Sequence, residues 1–259
     1  MHINQLMSLN NRVAVVIGGA GKIGYPMAEG LAEAGALVYI ASSSEDSINP
    51  ALKKLEKLSL NVKGIKIDMS SEKSVIDAIA KIKQESGSPS ILINAGCIRP
   101  MKLFMDDSIE NWDKSMNVNA RGTFITCRAF GKEMAKTGSG SIINISSIYG
   151  LVSPDMDIYE GSSFETEPDY PFLKGGIISF SKYMASYFAK SGVRVNVVAP
   201  GGIFNNQENP FLSKYTKRVP LGRMACSDDM KGIAVYLASD ASSYVTGSVF
   251  PVDGGWTAI

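Results

Sequence analysis

Short apolar runs and amphipathic stretches alternate along the 259 residues. "RVAVVIGG" (Arg12 to Gly19) is a β-branched run closing on glycines, the pattern of a strand covered on both faces. "KIGYPMAEGLAEAG" follows with helical spacing, and Gly35 stops it. "ALVYIA" (Ala36 to Ala41) is a second strand, after which Asn49 and Pro50 read as the N-cap and first turn of a helix ending near Ser59. "VKGIKID" (Val62 to Asp68), a helix from Ser71 to Glu85 and "SILINAG" (Ser90 to Gly96) keep the rhythm. A helix from Ser108 to Lys136, the strand "SIINIS", a helix from Tyr170 to Lys190, "VRVNVVAP", a helix around Asp228 to Ala238 and "VFPVDGG" complete it.

Strand and helix in alternation predict the α/β class: a doubly wound, central parallel sheet of about seven strands with helices on both faces, joined by right-handed crossovers. No linker, charge block or repeat interrupts the pattern, so residues 1–259 read as a single domain. Two connections, 151–169 and 201–223, exceed the usual length. Both leave carboxyl ends of strands, where such sheets hold their ligands, and they are the expected substrate loops.

Composition narrows the partners. Lys and Arg number 26 against 25 Asp and Glu, a net charge of +1 that supplies no field for nucleic acid or an anionic membrane. The N-terminal "MHINQLMSLNNRVAVV" lacks a cationic leader with an apolar core, and no run of 18 apolar residues follows, which predicts a cytoplasmic protein. Cys97, Cys127 and Cys226 have neither CxxC nor Cys/His spacing, so they read as reduced packing residues and no metal site is expected.

The glycine turn adds chemistry. "GGAGKIG" (Gly18 to Gly24) lies between the first strand and the first helix, where Gly18, Gly21 and Gly24 let the backbone approach a pyrophosphate and the helix N-terminus attracts it. A ligand-free tight turn is the other reading. At the end of the second strand an acid would hold the ribose 2′-OH of NAD. Here "IASSSED" places Ser42 and Ser43 there, and Lys22 in the glycine turn can meet a 2′-phosphate, so NADP is favoured while NAD stays open. Glu45 and Asp46 count against NADP, and the serines also suit simple caps.

A phenol that ionises near pH 10 needs a cation beside it to act as a base at neutral pH. Tyr170 and Lys174, four apart at a helix start, share one face. Tyr159 has Ser163 at that offset and Tyr149 has Ser153, so only Tyr170 is paired with a cation. "INISSIYG" puts Ser146 and Ser147 at the carboxyl end of a buried strand, where a hydroxyl can polarise a substrate oxygen.

With "NAG" (Asn94 to Gly96), "MNVNARGTF", "INISS", "RVNVVAPGGI" and "VTGSVFPVDGG" added, the whole chain resembles the single-domain short-chain dehydrogenase/reductase family, a Rossmann-like fold. The resemblance implies that Tyr170 is the general acid/base, that Lys174 supports it and binds the nicotinamide ribose, and that Ser147 polarises the carbonyl. Asn119 would hold a proton-relay water. Cofactor contacts would come from Gly18, Gly21, Lys22, Ile23, Gly24, Ser42, Ser43, Asp68, Met69, Asn94, Ala95, Gly96, Tyr170, Lys174, Pro200, Gly201 and Ile203. Asn119 as a backbone bridge and Asp68 as a helix cap remain alternatives. The family's usual threonine is Ile17, its glycine spacing differs, Asn205 replaces a threonine after "PGG", and the Ser147 to Tyr170 interval is lengthened.

The polar, acidic 151–169 loop suits a sugar or sugar derivative, and with "PGGIFNNQ" it resembles the branch acting on bacterial surface sugars of the flagellin-glycan and legionaminic-acid type. Lys214, Lys217, Arg218 and Arg223 can meet a substrate phosphate or carboxylate, or form an ordinary solvated surface. A homotetramer or homodimer is implied by the family, with "IISFSKYMASYFA" and "VDGGWTAI" as contact candidates. A nucleotide-sugar epimerase or dehydratase retaining its dinucleotide is the alternative enzyme, and a non-catalytic scaffold on the same fold is the alternative class.

Overall fold

The computed structural model describes residues 1–102, 104–162 and 165–259; Ser163, four residues after Tyr159 in the sequence, lies outside them. Seven strands form one sheet: β1 (Val13–Ile17), β2 (Leu37–Ser42), β3 (Val62–Lys66), β4 (Ile91–Asn94), β5 (Gly140–Ile145), β6 (Val193–Pro200) and β7 (Val249–Val252). All pairings are parallel, in the order β3-β2-β1-β4-β5-β6-β7. The chain winds outward in opposite senses from β1 and β4, whose ends stand side by side with Ile17 opposite Asn94.

The β-branched strands are apolar throughout because helices cover both faces. Val13, Val15 and Ile17 point to one core with α4 (Glu72–Ser86), α6 (Gly122–Thr137) and α7 (Asp169–Phe188). Ala14 and Val16 point to the other, under α2 (Gly24–Glu33), α3 (Glu45–Glu56) and α9 (Lys231–Ala238). The shorter helices are α1 (Ile3–Leu6), α5 (Ile109–Ser115) and α8 (Phe211–Arg218). A third apolar cluster, centred on Ile148, Ile158, Phe211, Tyr215 and Trp256, lies under the two long loops.

Three local expectations change. Helix α3 starts at Glu45 rather than at Asn49–Pro50, because the Ser44 hydroxyl accepts from the Asp46 N–H and two acids occupy the positive first turn. Pro50 then sits inside the helix, at the loss of one backbone bond. The helix expected from Ser108 to Lys136 is divided by a π-helical segment, Met116–Arg121, and resumes as α6. The 201–223 connection is not all loop: α8 forms there, burying Phe211 and Tyr215.

Candidate active site

The sheet brings the end of β5 against the start of α7. Lys174 is 6% exposed, and its Nζ donates to the Ile145 carbonyl at 3.0 Å, while the Ser146 hydroxyl donates to the Lys174 carbonyl at 2.8 Å. The lysine is thus held at both ends by the terminus of β5. Its Nζ lies 5.3 Å from the centre of the Tyr170 ring, a cation–π distance rather than a hydrogen bond to the phenol. Ser146 is committed to the backbone. The Ser147 oxygen accepts from the Tyr149 N–H at 3.2 Å, which leaves its own hydrogen for another acceptor.

Sequence reasoning missed a second cation. The Arg99 guanidinium lies 4.6 Å from the centre of the Tyr170 ring and is paired with Glu167. Burial works against the Arg99 charge, but the Glu167 carboxylate outweighs it, so its pKa is raised. The available signal was positional: Arg99 follows "NAG" on the loop leaving β4, and Glu167 stands three residues before Tyr170, just ahead of α7.

The π-helical segment explains Asn119. Its amide accepts from the Ile98 N–H at 2.9 Å and donates to the Ile98 carbonyl at 2.8 Å and to the Ser115 oxygen at 3.0 Å. Ser115 in turn donates to Asp169, the buried residue just before Tyr170. Asn119 therefore does bridge backbones. It also borders a cavity of about 10 Å³ shared with Asn94, Gly96 and Lys174, close to the lower limit for one water.

A cavity of about 340 Å³ gathers Lys22, Ile23, Ser147, Tyr170, Pro200, Gly201 and Ile203 from the predicted set, together with Arg99, Tyr149, Tyr159, Asn205, Gln207 and Tyr215. Gly18, Gly21, Gly24, Ser42, Ser43, Asp68, Met69 and Ala95 line neither cavity. The Asp68 carboxylate accepts from the N–H and hydroxyl of Ser70 at 2.9 and 2.7 Å, a local turn ahead of α4, whose N-cap is Ser71 rather than Asp68. Met69 is buried in the core. Ser42 accepts from the Ser47 hydroxyl at 2.8 Å and Ser43 is exposed, so no acid stands at the end of β2. A wider groove of about 610 Å³ between α3 and α4 contains none of the catalytic candidates.

The glycine turn fits a dinucleotide. Gly18 has φ +74°, and a Cβ there would lie 2.7 Å from the Ala95 carbonyl carbon and the Gly96 nitrogen. The glycine and "NAG" turns thus touch backbone to backbone where the winding reverses. No side chain caps the N-terminus of α2 and no acid occupies its first turn, so its N–H groups suit a pyrophosphate.

Most of the loop cations are engaged elsewhere. Lys214 Nζ donates to the Asp157 and Glu160 carbonyls, each at 2.9 Å. Arg218 pairs with Asp155 at 2.7 Å and Arg223 with Asp229 at 2.6 Å. Lys214 and Arg218 tie α8 to the 151–169 connection, Arg223 pairs within its own stretch of chain, and Lys217 is exposed.

A dinucleotide cradle beside a Tyr–Lys–Ser cluster defines an oxidoreductase working on an alcohol or ketone. Comparison places it further: residues 18–257 match the family described as Enoyl-(Acyl carrier protein) reductase. The chain belongs to the short-chain dehydrogenase/reductases and is an NAD(P)-dependent enzyme acting on a CH–OH group. It is 35% identical over 256 residues to the 3-oxoacyl-[acyl-carrier-protein] reductase FabG of Chlamydia muridarum, covering 95% of this chain and 98% of the relative. It is 28% identical over 253 residues to the post-translational flagellin modification protein A of Campylobacter coli, covering 96% and 99%. The crystal structure of a gluconate 5-dehydrogenase from Burkholderia cenocepacia in complex with NADP and tartrate superimposes with a TM-score of 0.90 at 28% identity, over 100% of both chains.

Proposed function

We propose that the enzyme interconverts a secondary alcohol and a ketone on a sugar or sugar derivative in bacterial surface-glycan biosynthesis, using NADP in preference to NAD. The observation that carries the chemistry is the convergence of Tyr170, Ser147 and the glycine-turn residues Lys22 and Ile23 on one cavity, with Lys174 against the Tyr170 ring. The hydrogen-bonding side chains on the cavity wall, Arg99, Asn205 and Gln207 beside Ser147, and the likeness to a flagellin modification protein and a gluconate dehydrogenase support the sugar. The serine-ended β2, the exposed Lys22 and the NADP bound by the gluconate dehydrogenase support the cofactor.

When bound, the nicotinamide supplies or accepts the hydride. Ser147 donates its free hydrogen to the substrate oxygen and orients it. Tyr170 exchanges the proton with that oxygen at its own hydroxyl. Lys174, fixed by Ile145, holds its charge against the phenol, and Asn119 keeps the polar cavity beside it in shape for a relaying water. We further propose assembly as a homotetramer or homodimer, supported by the exposed Phe124, Phe172, Tyr183 and Tyr187 on the outer surface of α6 and α7. Among the described residues no helix is long and apolar enough to cross a membrane.

The test follows nicotinamide absorbance with a panel of amino, phospho and nucleotide sugars and related ketones. Tyr170→Phe is expected to lower kcat/KM by about 10²–10⁴-fold; unchanged turnover would defeat the assignment.

A further inference from the structure

The sequence offers Tyr149 and Tyr159 as well as Tyr170, and the proton transfer uses only the last. The other two are not idle surface groups. Tyr149 follows Ser147 on the turn leaving β5, and Tyr159 arrives on the lengthened 151–169 segment; their hydroxyls meet at 2.6 Å on the wall of the cavity that holds Tyr170.

The pair is held in place from behind. Lys214 grips the carbonyls on either side of Tyr159, at Asp157 and Glu160. The Tyr159 ring packs 5.5 Å from Phe211, which lies 5.7 Å from Tyr215, which stacks at 4.6 Å on Trp256. Such a fixed position lets a hydrogen-bonding group discriminate without first being ordered.

Burial pushes both phenols up from their ordinary pKa, so both are neutral at physiological pH. Two neutral hydroxyls use one hydrogen for their mutual bond. The Thr166 hydroxyl is a further hydrogen-bonding neighbour of Tyr159, and three hydroxyls joined in a row use two of their three hydrogens, so one O–H hydrogen and unused lone pairs remain for a ligand. On the wall of a half-open cavity, a group able both to donate and to accept matches a substrate hydroxyl, and a bound substrate lacking that oxygen leaves it without that partner.

We infer that the Tyr149–Tyr159 phenol pair is a specificity element that reads a substrate hydroxyl other than the one reacting at Tyr170. The inference rests on the oxidoreductase reading of the same cavity and adds a class to it: ketones and alcohols with a second, free hydroxyl. It also gives the lengthened segment a purpose, since Tyr159 is the side chain that the segment delivers to Tyr149.

The experiment measures kcat and KM with NADPH for two matched probes, 2-hydroxycyclohexanone and cyclohexanone, on the full chain. The wild type is expected to favour the hydroxyketone by about tenfold in kcat/KM, the worth of one well-placed neutral hydrogen bond. Tyr159→Phe and Tyr149→Phe should each remove that preference, chiefly through KM, and leave cyclohexanone within about twofold. The double variant should lose no more than either single one, because each phenol acts through the other. Equal rates on the two probes in the wild type, losses shared equally by both, or inertness toward both would overturn the inference. Activity on other ketones that vanishes in Tyr170→Phe would then leave the oxidoreductase reading standing.

Discussion

Replacing Gly18 by alanine puts a methyl group where two turns touch. At φ +74° an alanine is in the left-handed region, at a cost of about 1–2 kcal/mol. Its Cβ would stand 2.7 Å from the Ala95 carbonyl carbon, 2.7 Å from the Gly96 nitrogen and 2.8 Å from the Ala95 oxygen. All three are backbone, in a segment tied to β1 by the Ala95 N–H bond to the Ile17 carbonyl at 2.9 Å. No rotamer change relieves the contact, so the turns must separate, at an overpacking cost of about 1–3 kcal/mol. The sum, about 2–5 kcal/mol, corresponds to a Tm lower by about 4–20 °C for a chain of this size. Because the "NAG" turn moves with it, NADPH affinity should weaken on the order of tenfold to a hundredfold. Urea denaturation gives the stability change, and NADPH fluorescence titration gives the affinity. A variant with wild-type Tm and wild-type NADPH affinity would refute the idea that contact between the two turns forms the cofactor cradle.

Two further outcomes follow from buried ionisable groups. Glu133 is 6% exposed and meets Lys83 at 2.6 Å and Lys136 at 2.9 Å. Burial alone would raise its carboxyl, but the two lysines outweigh that and hold it below the usual value. A depressed folded-state pKa adds stability above the unfolded value near pH 4.5 and loses it as pH falls through the folded one. Glu133→Gln should therefore cost about 1–3 kcal/mol at pH 7, and the gap to wild type in urea titrations should close below about pH 4.5; a gap independent of pH would exclude an ionic role. Cys127, whose thiol burial pushes up to about 12, should resist a thiol-specific disulfide reagent until the protein unfolds, while the exposed Cys97 and Cys226 react in the native state. Rapid native labelling of Cys127 would show that the α6 core opens.

Periodicity determined much of this molecule by itself, because each strand and helix carries its burial pattern in consecutive residues. The seven strands, their alternation with helices and the glycine turn after β1 were all legible. So was the Tyr170–Lys174 pair, since a four-residue spacing at a helix start leaves the two side chains no choice but to share a face. The start of α3 was misread because two capping sequences compete within a few residues, and local acids decide between them. The π-helical break at Met116–Arg121 was invisible because what stabilises it, the Asn119 amide on the Ile98 backbone, comes from a segment distant in sequence. Tertiary structure alone decided that Arg99 stands over Tyr170, that Lys214 and Arg218 fasten α8 to the 151–169 connection, and that the Tyr149 and Tyr159 hydroxyls meet. A loop residue carries no periodic mark of its partner. Its contacts are set by where the ends of β4, β5 and β6 place the connections, and that placement is a property of the assembled sheet.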